Sequence, residues 1–430
     1  MKYAIIGGSA AGVAAIEAIR SQDKTGKIFL ISDEMEALYS RCLLSYYLAG
    51  AIPEEKLKFR PADFFAKNKV DVFPGNKARK ILPGQKKVIL NLGNEIDYDA
   101  LLIATGGRPK KLGMAKENLD GIYKLRNIAD ARKIFSLLDT TKNAVVLGGG
   151  LIGLRAAYAL KQQGKEVKIV VKSQEILSRV LGEEPAQIIR QHIEKEGIEV
   201  ITGRDVAEIL GKNRVEGVVL DDKSKLSCQI LIIGKGVSPN KEFLADTGLK
   251  FNDGVIVDDY LATGVQGVYA AGDVCETKDL ITGQRVIKAI WPCAVEQGRI
   301  AGLNMAGQKT KYAGALGMNS VEFFGLPAIS VGQTNLTENC KELVRKAPKN
   351  YRRLIFQGGR LVGATLVGKV EKAGVYGSLI RSKLDLSGWE EKLLADIFNF
   401  AKILPLIKEN PTVFNKPEYQ EFCGVDVKRK

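Results

Sequence analysis

The sequence predicts an α/β fold in which two Rossmann-like dinucleotide-binding domains, each three layers around a parallel sheet, precede an α+β C-terminal domain. Three observations carry this. A glycine-rich turn between a short apolar strand and a helix occurs twice, at residues 7–12 and 148–153. Two further apolar strands run into glycine turns, at residues 101–109 and 267–274. After Lys311 no nucleotide loop recurs, and short strands followed by helices take over. At 430 residues the chain is long enough for two or three buried cores.

KYAII (2–6) reads as a buried strand, Gly7, Gly8, Ser9, Ala10, Ala11 and Gly12 as a tight turn, Val13 to Arg20 as a helix, and KIFLIS (27–32) as the next strand. Ser9 replaces the middle glycine but is small enough to let backbone amides approach a pyrophosphate at the helix N-terminus. Asp33 and Glu34 follow Gly12 by 21 and 22 residues, where an acid accepts from ribose hydroxyls. The same grammar returns with a strand over Asn143 to Leu147, a full G-x-G-x-x-G in Gly148-Gly149-Gly150-Leu151-Ile152-Gly153, a helix over Leu154 to Gln163 and a strand over Glu166 to Val171. Two such sites imply two dinucleotides. ILIIGKGVSPN (230–240), with Gly234 and Gly236, closes the second unit. GVYAAGDV (267–274) is a strand ending in Gly272-Asp273, whose carboxylate suits a ribityl or ribose hydroxyl. In the C-terminal domain, strands are expected at Ala328–Gly332, Arg353–Phe356 and Leu361–Leu366.

A formal charge of +15 favours an acidic partner. Because the lysines are spread along the chain rather than gathered in a stripe, that partner reads as an acidic electron-carrier protein and not nucleic acid. The six cysteines, Cys42, Cys228, Cys275, Cys293, Cys340 and Cys423, form no C-x-x-C pair, so no zinc or iron–sulfur ligand run is expected and no metal. Reduced thiols, an N-terminal apolar run that passes straight into a nucleotide loop, and no apolar stretch near ~18 residues together predict a cytoplasmic protein without a membrane span.

With GGSAAG (7–12), ATGGRP (104–109), GGGLIG (148–153) and AAGD (270–273) in this order and spacing, the chain resembles the two-dinucleotide flavoprotein reductases of the pyridine nucleotide-disulfide oxidoreductase superfamily. Within it, YSRCLLSYYLAG (39–50), WPCAVEQGRIAGLNMAG (291–307) and RLIFQGGRLVGATLVG (353–368) are most similar to NAD(P)H:rubredoxin reductases, the FAD module of NADH-dependent nitrite reductases and related ferredoxin-linked enzymes. The resemblance implies an FAD domain over 1–110 and 236–310, an NAD(P)-binding domain over 111–235 and a C-terminal interface domain over 311–430, commonly in a homodimer. It implies that FAD is held by Gly7, Gly8, Ser9, Ala10, Ala11, Gly12, Asp33, Glu34, Ser40, Arg41, Cys42, Ala78, Ala104, Thr105, Gly106, Arg108, Gly272, Asp273, Trp291, Glu296 and Gln297. The nicotinamide dinucleotide, NAD(H) or NADP(H), would be held by Gly148, Gly150, Leu151, Ile152, Gly153, Arg155, Lys172, Ser173, Gly234 and Gly236. Trp291, Glu296 and Gln297 are expected beside the flavin ring, at the start of the helix following Asp273. The activity implied is hydride transfer from the nicotinamide to flavin and onward transfer of single electrons to ferredoxin or rubredoxin.

Departures from the family sharpen this. The branches that reduce glutathione-like disulfides need a cysteine pair and a histidine acid–base. The single histidine here, His192 in IIRQHIEKEG, is expected to be structural or on the surface. The coenzyme A disulfide reductase branch uses one cysteine in a C-x-L-P-Y-Y context, resembled by Cys42-Leu43-Leu44-Ser45-Tyr46-Tyr47 with Ser45 in place of proline. Electron-transferring reductases read Y-S-R-P-L-L-S, so Cys42 stands at their proline while Tyr39, Ser40, Arg41 and Ser45 fit. Cys42 is therefore expected not to be an obligatory nucleophile. The alternatives are a coenzyme A disulfide or thiol reductase, or an NADH oxidase or peroxidase type, using Cys42, and a flavoprotein subunit of a larger redox complex. Arg155 occupies the family's usual glutamate position, where it would stabilise reduced flavin, hold a phosphate of NADPH or turn to solvent. Lys172 and Ser173, 19 and 20 residues after Gly153, replace the usual acid, which predicts a preference for NADPH.

Overall fold

A computed structural model describes residues 1–395 and 403–410; Cys423 lies outside the described residues. The chain forms two compact units, one of residues 1–177 and 190–316, the other of residues 178–189 and the described residues from Gly317 onward.

The first unit begins with β1 (Lys2–Ile6), α1 (Ala10–Gln22), β2 (Lys27–Ile31), α2 (Leu44–Leu48), β3 (Val70–Phe73) and β4 (Ala100–Ile103). It continues through β5 (Ile122–Tyr123), α3 (Ile128–Ser136), β6 (Asn143–Leu147), α4 (Leu151–Gln162), β7 (Glu166–Val171), β8 (Ile198–Thr202) and β9 (Ile230–Ile233), and ends with β10 (Val268–Ala270) and α5 (Trp291–Met305). Two parallel sheets result, in the orders β10-β4-β1-β2-β3 and β8-β7-β6-β9-β5. Every residue of β4 and β9 is buried. Such continuous apolar runs mark strands covered on both faces by helices. In the first sheet Tyr3 pairs with Ile28 on one side and Ala100 on the other, so all three strands end level with the Gly7 turn.

The predicted strands of both βαβ units are in place, but each helix begins about one turn earlier than the sequence reading put it, at Ala10 and at Leu151. The reason is that the last residues of each glycine loop already have helical backbone, which aims their amides out of the helix N-terminus.

In the second unit β11 (Met318–Phe323), β12 (Leu326–Gly332), β13 (Cys340–Ala347), β14 (Asn350–Gln357) and β15 (Arg360–Val367) form an antiparallel sheet in the order β11-β12-β15-β14-β13, with α6 (Ala373–Ser382) packed on β12 and β15. The three expected strands fall inside β12, β14 and β15. β11 and β13 lie at the sheet's edges, and β13, CKELVRKA, has no fully buried residue, so it lacks the apolar alternation that would reveal it.

Candidate functional site

The C-terminal ends of β1, β2, β4 and β10 meet around the first glycine turn. A Cβ on Gly12 would overlap the Gly7 carbonyl oxygen, and one on Gly7 would overlap that of Ala104. Ala104 is thereby packed on the turn formed by Gly7 to Gly12, while the Thr105 hydroxyl donates to Asn240 O at 2.9 Å and Gly106 lies beside Arg126. Ser9, at the N-cap of α1, makes no side-chain capping bond, which leaves the amides of the first turn to a ligand.

Across this turn lies a charged network. Glu34 accepts from Tyr39 Oη and pairs with Arg41; Arg41 also donates to Arg126 O at 2.8 Å. Arg126 stands 3.9 Å from Asp273 and beside Gly106. Burial pushes the Asp273 carboxyl up, against the opposing pull of Arg126 and Arg41. Burial, and the neighbouring charge of Arg41, push Arg126 down. Two crowded guanidiniums facing one acid with a raised pKa form a locus short of negative charge, and a pyrophosphate supplies it. Beyond the ends of β2 and β3, a cavity of about 310 Å³ is lined by Ser32, Glu34, Met35, Leu38, Phe65 and Pro74, among others. A mostly apolar slot of this kind, with a few polar groups at its mouth, suits an aromatic base.

The second crevice repeats the design. A Cβ on Gly153 would overlap Gly148 O, one on Gly148 would overlap Gly234 O, and around Gly150 there is open space. Gly150 is the N-cap of α4 and has no side chain with which to cap it; Leu151 and Ile152 form the first turn, with Ile152 exposed. The Gly236 carbonyl accepts from Lys110 N at 3.0 Å. Ser173 donates to Glu175 O at 2.8 Å. Lys172, its side chain 81% exposed, stands 3.7 Å from Asp205, which also pairs with Lys235. Burial raises the Asp205 carboxyl, but the Lys235 hydrogen bond and the two lysine charges outweigh it and hold it low.

Between the crevices runs α2, packed on α3 and α4. Tyr47 stacks on Phe135 at 5.5 Å, and the Arg155 guanidinium sits 4.5 Å over the Tyr46 ring. Arg155 Nη1 is buried without a hydrogen-bond partner. Arg155 therefore faces the Cys42 segment rather than solvent. Cys42 is exposed, yet enough protein surrounds it that desolvation pushes its thiol up, against the opposing influence of the Ser40 hydroxyl and Arg155. Such a thiol is mostly protonated near neutral pH, unlike an activated nucleophile.

The surroundings of four residues differ from what their motifs suggest. Arg108 is on the surface and spent on Glu242 instead of turning into the crevice. Ala78 is buried in an antiparallel strand, Ala78–Leu82, where it packs in the core. Gln297 is only 2% exposed, with its amide occupied inside the protein, so it lies behind the crevice and does not line it. An acid does stand beside Lys172; Asp205 comes from beyond the end of the neighbouring strand β8, a position that no spacing from Gly153 reveals. Of the remaining residues, Asp33 is exposed, Ser40 is buried, Glu296 is half-buried and Trp291 opens α5 with its ring edge-on to Phe59 at 5.1 Å. Arg126, Asp205 and Lys235 were missed, because each joins its site through tertiary contact and belongs to no local motif. His192 lies in the helix Glu183–Lys195. Among the described residues no cluster suits a metal, and no helix is long and apolar enough to cross a membrane.

The model of the pyridine nucleotide-disulphide oxidoreductase family matches residues 1–298, and that of the rubredoxin NAD+ reductase C-terminal domain matches residues 318–384. The chain is 32% identical over 400 residues to the NADH-dependent phenylglyoxylate dehydrogenase subunit epsilon of Aromatoleum evansii, covering 92% of this chain and 95% of that one. Among solved structures it is similar to the covalent putidaredoxin reductase–putidaredoxin complex, with a TM-score of 0.86, 26% identity and coverage of 95% of this chain and 99% of that one. It is also similar to an NAD-dependent persulfide reductase from A. fulgidus, with a TM-score of 0.85, 27% identity and coverage of 91% and 79%.

Proposed function

Because the chain belongs to the pyridine nucleotide-disulphide oxidoreductase family, we propose that it is the reductase of a small electron-carrier protein of the rubredoxin or ferredoxin kind. It is an FAD-dependent NAD(P)H oxidoreductase. The observation that carries the carrier reading is the C-terminal sheet, β11 to β15 with α6, which the rubredoxin NAD+ reductase C-terminal domain matches.

FAD, when bound, supplies a group that takes a hydride and releases its electrons singly. The residues of the first crevice fit it. The α1 N-terminus, Arg41 and Arg126 would hold its pyrophosphate, Asp273 a ribityl hydroxyl, Glu34 the ribose and the slot beneath Met35 and Phe65 the adenine. The uncapped amides at Gly150 to Gly153 would hold the pyrophosphate of NAD(P)H, and Lys172 a 2′-phosphate. The domain limits that go with this assignment are 1–110 with 236–310 for FAD, 111–235 for NAD(P) and 311–430 for the interface domain. A homodimer and a cytoplasmic location belong to the same proposal.

The test is steady-state reduction of ferredoxin, rubredoxin and coenzyme A disulfide, each with NADH and NADPH. A carrier rate that exceeds disulfide reduction and falls steeply with salt is expected, since a +15 chain attracts acidic carriers. Disulfide reduction as the faster reaction would establish the thiol reading instead, which the persulfide reductase similarity favours and the protonated Cys42 thiol opposes. A second reading, a flavoprotein subunit of a larger redox complex, draws on the phenylglyoxylate dehydrogenase subunit. Co-purification with an iron–sulfur protein and poor turnover alone would support it.

A further inference from the structure

The turn Gly272-Asp273 is held from behind by a buried amide. Gln297, on the inner face of α5, accepts from Gly272 N at 2.8 Å through Oε1. The same oxygen accepts from Cys275 Sγ at 3.5 Å, while Nε2 donates to Thr277 Oγ1 at 3.5 Å and Tyr312 Oη at 3.4 Å. The other polar group of Gly272, its carbonyl, accepts from Cys275 N at 3.1 Å. Gly272 has φ +83°, a conformation that needs glycine and must be held by its surroundings. α5 itself is pressed onto α1: Cβ atoms on Gly298 and Gly302 would overlap or crowd the Ala11 and Ala15 backbone. One side chain thus ties α5, which packs on the helix of the first glycine loop, to the turn that presents Asp273.

We propose that Gln297 is a positioning residue for FAD, acting through the Gly272 amide to aim the Asp273 carboxylate, rather than by touching the flavin. This rests on the reading of the first crevice as the FAD site. Without an acceptor at position 297 the Gly272 amide is left buried and unpaired, and the turn relaxes until it finds one. Asp273 then leaves the position that Arg126 and the ligand require.

The experiment compares wild type with Gln297→Met, Gln297→Glu and Thr277→Val. Each is stripped of flavin, and FAD affinity is read from flavin fluorescence, the two-electron midpoint potential from redox titration and stability from the melting temperature of the apoprotein. Gln297→Met, close in size but without the acceptor, is expected to weaken FAD about tenfold and to shift the potential. Gln297→Glu keeps an acceptor for Gly272 N and is expected to bind within about threefold of wild type. Thr277→Val removes only a partner of Nε2 and should change affinity less than Gln297→Met. Wild-type affinity and potential in Gln297→Met overturn the proposal, as does equal weakening of the Met and Glu variants in step with lost melting temperature. If Gln297→Met does not fold, Gln297→Glu decides alone, a tenfold loss of affinity counting against the proposal. Failure of the wild type to bind FAD would instead overturn the reading of the crevice itself.

Discussion

On the proposed reading of the second crevice Lys172 selects between the two nicotinamide dinucleotides, and its surroundings set the size of the expected effect. Its ammonium is 81% exposed and only 3.7 Å from Asp205, which Lys235 holds more tightly. Lys172 is thus free to swing to a 2′-phosphate at little cost, since an exposed pair of this kind is worth about 1 kcal/mol or less. A contact at ~4 Å in a largely aqueous environment is worth about 1 kcal/mol, or roughly fivefold in affinity. Lys172→Ala should therefore lower kcat/KM for NADPH about fivefold and leave that for NADH unchanged. Asp205→Asn works the other way. Its carboxylate is 27% exposed, so its repulsion of a phosphate is stronger than the bulk-water figure, and its removal releases both lysines. An increase in kcat/KM for NADPH of about five- to thirtyfold is expected. The assay is steady-state oxidation of each dinucleotide under pseudo-first-order conditions at fixed carrier concentration. A strong NADH preference that neither substitution alters would refute the assignment of Lys172 to the 2′ position.

Cys42→Ser should abolish reduction of coenzyme A disulfide while largely retaining carrier reduction, and alkylation of the wild-type thiol, slow at neutral pH, should go on accelerating with pH past the ordinary thiol value of 9.0 before it levels off. Arg155→Met should push that acceleration to still higher pH, because Arg155 is one of the groups that lower the Cys42 pKa. Rapid alkylation at neutral pH would contradict both the burial argument and the non-nucleophilic reading. Arg126→Met should weaken FAD about tenfold or more, the scale of a lost hydrogen bond to a charged group, as measured by titration of the apoprotein; unchanged affinity would remove Arg126 from the site. Asp273 gives a pH signature. Its folded-state pKa is raised above the ordinary 3.8, so its contribution to apoprotein stability is full below 3.8 and is lost as pH rises through the higher folded value. The melting-temperature difference between Asp273→Asn and wild type should accordingly grow in favour of the variant in the window just above pH 3.8, and a flat difference would show that Asp273 is not desolvated.

The two crevices were largely legible in the chain because their chemistry is written locally. A strand, a glycine turn and a helix N-terminus are contiguous, and the close approaches at Gly12 and Gly153 are met by residues five positions upstream. What could not be read is whatever one element delivers to another. Arg126, ahead of α3, reaches Asp273 after β10, and Asp205, beyond β8, reaches Lys172 at the end of β7. Spacing along a sequence ranks residues by their distance from a motif, whereas a parallel sheet brings together the ends of strands that are far apart in the chain. The same argument explains Gln297 and Arg155. Position in a motif suggested a cofactor contact for Gln297 and, for Arg155, a cofactor contact or solvent, whereas helix rotation decides which way each side chain faces. Gln297 turns inward onto Gly272, and Arg155 turns onto Tyr46. Cys42 thus sits in the turn Arg41–Leu43 that leads into α2, a helix packed on α3 and α4, with the Arg155 cation stacked on Tyr46 and burial pushing the thiol pKa up. That is a geometry suited to holding the two halves in register, and a mutation at Tyr46 is expected to disturb both nucleotide affinities together where a mutation at Cys42 disturbs neither strongly. Binding titrations of FAD and NADPH on Tyr46→Ala decide this: independent changes in the two affinities would mean that α2 serves only one crevice.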